Sequence, residues 1–193
     1  MSARAKRKSS QISSDPKLRD LILYIAWRSE GDNAFGSTKL NKLLFYSDFL
    51  AYRLLGKAIT GQEYQALEWG PAPRRLLSVI GAMLKRGEIQ IRTKNFYGKP
   101  QRRPVPIDPP QIDTFTPEQV SLVDQIIRDN WGKTAREMSD MSHQFIGYRI
   151  TKIGDTIPYG AALIVKPEVT PALIEHGRRM IPRVRRALAR HAK

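Results

Sequence analysis

The chain reads as mainly α within an α+β class: a single helical domain with a small basic β-hairpin excursion. Three observations predict this. Apolar residues recur at i, i+3, i+4 and i+7 in several separate segments, the spacing of a buried helix face. One segment, Ile89–Lys94, alternates with the period of a strand before the turn chemistry of Tyr97-Gly98-Lys99-Pro100. The length, 193 residues, suits one well-buried core with terminal extensions.

Taken in order, residues 1–14 combine low hydrophobicity, charge and serine, so they are expected to form a disordered basic arm. Asp15 as N-cap and Pro16 at the first helical position start a helix with Leu18, Leu21, Ile22, Ile25 and Ala26 on one face, closed by Gly31-Asp32-Asn33. A second helix follows Gly36-Ser37 and ends at Gly56. Its stripe is Leu40, Leu43, Leu44, Ser47, Leu50, Ala51 and Leu54, with Lys39, Lys42 and Asp48 expected to point away from the core. Ile59–Trp69 has room for one strand. Pro71 and Pro73 are expected to open a third helix, carrying Leu76, Leu77, Ile80, Met83 and Leu84 inward until Gly87.

The strand of Ile89, Ile91 and Thr93 turns back through Val105, where Pro104 and Pro106 restrict the return arm to an edge strand or coil. Thr116 with Gln119 and Thr134 with Glu137 each fit a capping box. The first starts a helix buried through Val120, Val123, Ile126 and Ile127, the second a helix ending near His143. Phe145–Ile164 is a glycine-interrupted connector. From 169 a basic C-terminal helix is expected to bury Leu173, Ile174, Ile181, Val184 and Leu188, with Pro182 kinking or dividing it. The domain proper is placed at 15–168 and the basic helix at 169–193.

The formal charge of +15 is segregated. Segments 1–8, 92–103 and 178–193 hold sixteen of the cations and no acid, so the body is close to neutral and the basicity favours an anionic partner. Cysteine is absent, which excludes disulfides and thiolate chemistry. His143, His176 and His191 lie far apart, so no metal or other cofactor is expected. No run approaches the roughly 20 apolar residues of a membrane helix, and the basic start leads into serine-rich sequence, so a cytoplasmic protein without membrane contact is expected.

The order Thr38-Lys39-Leu40-Asn41-Lys42-Leu43-Leu44-Phe45-Tyr46-Ser47-Asp48-Phe49, then Ile59-Thr60-Gly61, then Trp69-Gly70-Pro71-Ala72-Pro73, resembles the Panacea domain of SocA-like antitoxins from bacteria and phages. Met138-Ser139-Asp140-Met141-Ser142-His143 resembles that family's short acidic helix, and Ile157-Pro158-Tyr159 its closing turn. The resemblance implies an antitoxin that neutralises a cognate protein toxin by direct contact, with no catalysis and no small-molecule substrate. The glycine-rich stretch 144–160 and the basic tail after Val169 depart from the family pattern, and the tail keeps a nucleic-acid-binding regulator or phage factor open as the alternative.

Candidate partner-binding residues are Lys39, Asn41, Lys42, Trp69, Ser142 and His143. Asn41 borders the apolar face, where its amide needs partners, and a hydrogen bond to the Trp69-Gly70 turn would supply them. Ser142 and His143 suggest a nucleophile with its base, but neighbours on a helix point about 100° apart, poor geometry for proton transfer. A hydrogen-bonding role at the helix end is the plainer reading. Candidates for an anionic partner are Arg92, Lys94, Arg102 and Arg103 on the hairpin and Arg178, Arg179, Arg185 and Arg186 on the last helix. The hairpin, with Phe96 and Tyr97 at its tip, suits DNA or RNA phosphates, an acidic protein surface, or simple solvation. The last helix suits docking on its own domain, a partner or a membrane surface.

Overall fold

The computed structural model describes residues 15–164 and 171–191. In chain order the elements are α1 (Asp15–Arg28), α2 (Ser37–Leu55), β1 (Tyr64–Gln65), β2 (Ala72–Pro73), α3 (Leu76–Lys85), β3 (Ile89–Phe96), β4 (Lys99–Pro106), α4 (Pro117–Asp129), α5 (Ala135–His143), α6 (Ile146–Ile150), β5 (Thr156–Ile157), a 3-10 turn at Tyr159–Leu163 and α7 (Pro171–His191). The basic arm expected over 1–14 and the junction 165–170 lie outside the described residues.

α2 is the central element, packed by α1, α4, α5, β2, β4 and the 3-10 turn. Leu40, Leu43 and Leu44 share one core with Leu18, Leu21, Ile22 and Ile25 of α1, Val79 and Met83 of α3, and Val123, Ile126 and Ile127 of α4. Phe45 and Phe49 supply a second core with Tyr64, Ala66, Ile157 and Ala162. There Phe49 meets Tyr64 edge-on at 5.4 Å, and Phe45 meets Phe145 at 5.2 Å. Because cores lie on two sides of the helix, the expectation of one inward stripe is corrected: Ser47 of the stripe is buried as expected, and Lys39, Lys42 and Asp48, expected to point away, are buried as well. Leu54 is 60% exposed, near the end that Gly56 closes at φ +74°.

A carboxylate at Asp48 can be buried because three donors meet it. Thr60 N–H lies at 2.7 Å, Tyr64 Oη–H at 2.8 Å, and the Thr60 hydroxyl completes the set. Burial nonetheless raises its pKa above the ordinary aspartate value, with the hydrogen bonds pulling the other way.

β1 is the middle strand of a small antiparallel sheet in the order β2-β1-β5, Tyr64 facing Pro73 on one side and Ile157 on the other. Pro71 and Pro73 therefore do not open a helix. Proline fits an edge strand as well as a helix start, and the Arg74 N–H bonds the Glu63 carbonyl at 2.9 Å, extending the pairing. α3 begins only at Leu76 and buries Val79 and Met83, while Leu77 stands 84% exposed. Leu76, Ile80 and Met83 of the expected stripe pack on the core, while Leu77 and Leu84 are exposed and Val79 is buried instead.

Both capping boxes form. Thr116 N–H donates to Gln119 Oε1 at 3.1 Å, and Thr134 N–H to Glu137 Oε2 at 2.7 Å, with the reciprocal threonine contacts in place. β3 and β4 pair antiparallel around Tyr97 at φ +48° and Gly98 at φ +78°, the paired left-handed positions of a two-residue hairpin turn. Arg103, expected on the surface, is buried at the root of this hairpin. It donates to the carbonyls of Ser29 at 2.7 Å, Asp32 at 2.8 Å and Glu30, and lies over the Phe35 ring. The Ser29 and Asp32 carbonyls already accept the Asp32 and Phe35 N–H groups, and the guanidinium adds a second donor to each, tying the hairpin to the turn that closes α1.

α7 runs undivided through Pro182, whose fixed φ is compatible with a helix and removes one backbone bond. Ile174 and Ile181, expected in the core, are exposed; the side chains of Leu173, Val184 and Leu188 fall outside the described set. An amphipathic stripe shows that a face would gain from cover, not that its own chain supplies it.

Leu43→Ala should cost about 2–5 kcal/mol in chemical unfolding, whereas Leu54→Ala should change stability by about 0.5 kcal/mol or less. Comparable losses at the two positions would contradict the exposure of Leu54 at the end of α2.

Candidate partner-binding groove

The candidate residues divide into a buried floor and an open groove above it. In the floor, Lys39 Nζ donates to Asp32 Oδ2 at 2.6 Å and to the Lys133 carbonyl at 2.9 Å. Lys42 Nζ reaches the Pro71 carbonyl at 3.3 Å. No carboxylate pairs with it among the described residues, and burial lowers its pKa to about 8. The Ser142 hydroxyl donates to the Ser139 carbonyl at 2.8 Å and is wholly buried. Gly70, at φ +95°, lies between them: a Cβ there would stand 2.6 Å from Lys42 Nζ and clash with Ser142 Oγ. Glycine is demanded twice, by the backbone and by the space.

The expected bond from Asn41 to the Trp69-Gly70 turn does not form. Lys42 holds the turn instead, and Asn41 Oδ1 is buried without a hydrogen-bond partner among the described residues. An ammonium on a long stem reaches the Pro71 carbonyl from the inward-facing position that sequence periodicity assigned to the outside.

Above the floor, Thr38, Trp69, Lys99, Ala135, Arg136, Ser139, Asp140 and His143 line a cavity of about 660 Å³. It adjoins a second of about 570 Å³ that shares Thr38, Lys99, Ala135 and Arg136 and continues to Phe96, Tyr97 and Arg102. Trp69 is 68% exposed on its rim. The His143 ring stacks on Tyr148 at 4.8 Å, and Tyr148 is held by a 2.8 Å bond from its hydroxyl to the Leu67 carbonyl. The groove is therefore walled by α5, the start of α2, the turn after β1 and the hairpin tip, with Arg136, Lys99 and Arg102 against the single acid Asp140.

The residues matched to the family pattern meet here although the chain separates them: Lys42 from α2, Gly70 and Pro71 from the turn, Ser142 from α5. The family model described as antitoxin SocA-like, Panacea domain, matches residues 40–146, more than half of the chain. The chain belongs to this family. No curated protein and no solved structure matches it. The matched span of the Panacea domain contains every groove-lining residue except Ala34, Gly36, Ser37 and Thr38.

Of the sequence candidates, Trp69, His143 and Arg102 line the groove, and Lys39, Lys42 and Ser142 support it from below. Arg92 and Lys94 are exposed on β3. Arg178, Arg179 and Arg185 are exposed on α7 and line neither cavity; Arg178 pairs with Glu175 at 3.5 Å, and the Arg186 side chain is outside the described set. Thr38, Lys99 and Arg136 were not singled out. Arg136 lies two residues after the Thr134 cap, so it sits on the first turn of α5 at the groove wall. Among the described residues no helix is long and apolar enough to cross a membrane, and no group of histidine and carboxylate side chains is placed to hold a metal.

Lys42 gives the floor a pH signature. Between its folded pKa of about 8 and its unfolded value of 10.5, the unfolded chain holds the proton that the folded one has lost, so stability rises with pH across that window. Relative to Lys42→Met, the wild type should gain on the order of 2 kcal/mol of unfolding free energy between about pH 8 and pH 10. A difference independent of pH would show an ammonium not desolvated by this floor.

Proposed function

We propose that the chain is an antitoxin that neutralises a cognate protein toxin by direct contact, and that the groove between α5 and the hairpin is the contact surface. The observation that carries this reading is Trp69, exposed beside a cavity yet mounted on a turn whose backbone is held by buried Lys42 and packed on Ser142. A large aromatic on a rigid support, with cations around it, is the composition of an interface hot spot. Action by binding, without bond-making chemistry, agrees with Ser142, whose hydroxyl is committed to the Ser139 carbonyl in the interior.

Co-expression with the toxic product of the adjacent reading frame should restore growth, and the two proteins should co-purify at high salt, because an interface with an apolar centre is not dissolved by ionic screening. Trp69→Ala combined with Arg136→Glu should weaken the complex about thirtyfold or more at unchanged melting temperature. Rescue with no complex would point to repression or toxin degradation and overturn the proposal.

Nucleic-acid binding is the second reading, favoured by the hairpin tip: Phe96 and Tyr97 meet edge-on at 4.7 Å, Tyr97 is 90% exposed, and Arg92, Lys94, Lys99 and Arg102 surround them. If it is correct, affinity for a random duplex should fall in a log–log salt plot with a slope of about −0.9 per neutralised phosphate, and changing Arg92, Lys94 and Arg102 to Gln should flatten that slope. Absence of binding near physiological salt in fluorescence anisotropy removes this reading.

A further inference from the structure

The two outer edges of the hairpin differ in kind. A two-residue loop makes Phe96 and Lys99 a hydrogen-bonded pair, and alternation along the ladder extends this to Lys94 with Gln101, Arg92 with Arg103 and Gln90 with Val105. The intervening pairs, Asn95 with Pro100, Thr93 with Arg102, Ile91 with Pro104 and Ile89 with Pro106, turn their backbone groups outward. On β4 three of those four positions are proline and have no donor. The fourth, Arg102, gives its carbonyl to the Ser37 hydroxyl at 2.9 Å, and the strand lies against α1 and α2. That edge is closed. On β3 the outward N–H and C=O groups of Ile91, Thr93 and Asn95 have no partner among the described residues, and Thr93 and Asn95 are exposed.

We propose that the free edge of β3 takes up an extended acidic segment of a partner protein as an additional strand. The proposal rests on the reading above that this chain works by binding a protein. Strand addition draws its affinity from main-chain bonds, which β3 offers, and its selectivity from alternate side chains. Arg92 and Lys94 are exposed two positions apart on one face of β3, so an incoming strand with carboxylates at every second residue sets opposite charges across from them. A second copy of this chain is the wrong occupant. Pairing β3 with β3 would oppose the same cations, and segment 92–103 contains no acid to compensate.

The test is fluorescence anisotropy on the full chain with a labelled peptide of alternating valine and glutamate, a matched valine–lysine peptide, and a labelled single-stranded oligonucleotide. Thr93→Pro removes one outward donor at a position equivalent to those that Pro100 and Pro104 occupy on β4, so the β3–β4 ladder should survive, as circular dichroism and melting will show. The glutamate peptide should bind and the lysine peptide should not. Thr93→Pro should weaken binding about tenfold or more. Arg92→Glu with Lys94→Glu should invert the preference. Methylating the backbone nitrogens of the peptide on its valines or on its glutamates should abolish binding in one of the two cases, a control that leaves the protein untouched if Thr93→Pro misfolds. No binding of the glutamate peptide, binding indifferent to both Thr93→Pro and peptide methylation, or an oligonucleotide bound in its place would each overturn the proposal. Growth rescue by co-expression separates the two readings: rescue without peptide binding sinks the edge and leaves the antitoxin, and peptide binding without rescue does the reverse.

Discussion

Three charged side chains on α2 are out of reach of bulk water, and each must find its partner in a loop that passes the helix. Leaving such a group unpaired costs several kcal/mol, more than most single contacts contribute. Lys39 gathers the Asp32 carboxylate and the Lys133 carbonyl, which ties the turn after α1 to the link between α4 and α5. Lys42 holds the turn before β2. Asp48 organises residues 60–64 through Thr60 and Tyr64. These segments thus take their positions in part from a single helix, and the turn that carries Trp69 is held by the lysine beneath it.

Arg103 applies the same logic from outside the helix. Its guanidinium anchors the hairpin at the root by satisfying carbonyls around the end of α1, and Gln101 adds a bond to the Asn33 carbonyl at 3.2 Å. Burial works against its charge, with Asp32 and Glu30 compensating. The tip carries no such anchor and stays exposed. One end of the hairpin is architecture and the other is available surface, although composition presents both as the same run of basic residues.

Signals that are local in sequence were legible. The capping boxes, Gly56, the Tyr97-Gly98 turn and the strand alternation from Ile89 each specify backbone geometry within a few residues, and each appears where its chemistry required. Burial of charge was not legible. Lys39, Lys42 and Arg103 look like surface residues in any local window, because the carbonyls that receive them lie tens of residues away in sequence, and the Asp32 carboxylate that receives Lys39 lies in the turn that separates α1 from α2. Pro71 and Pro73 misled for a related reason, since a proline is equally suited to a helix start and a sheet edge and only the pairing with Tyr64 decides. The groove shares this limit: Trp69 and His143 were visible through the family pattern, while Arg136 and Lys99 became neighbours only on folding.

The prolines of β4 also govern how the hairpin can form. A ladder with side chains of period two can ordinarily slip by one residue at the cost of turning its faces over. A slip that turned β4 over would bring Pro100, Pro104 and Pro106 to positions that must donate a hydrogen bond, which none of them can. That edge of β4 is excluded from pairing by covalent structure before packing is consulted. β4 can therefore pair through only one of its two edges, and Arg103 arrives at the end of α1 facing inward.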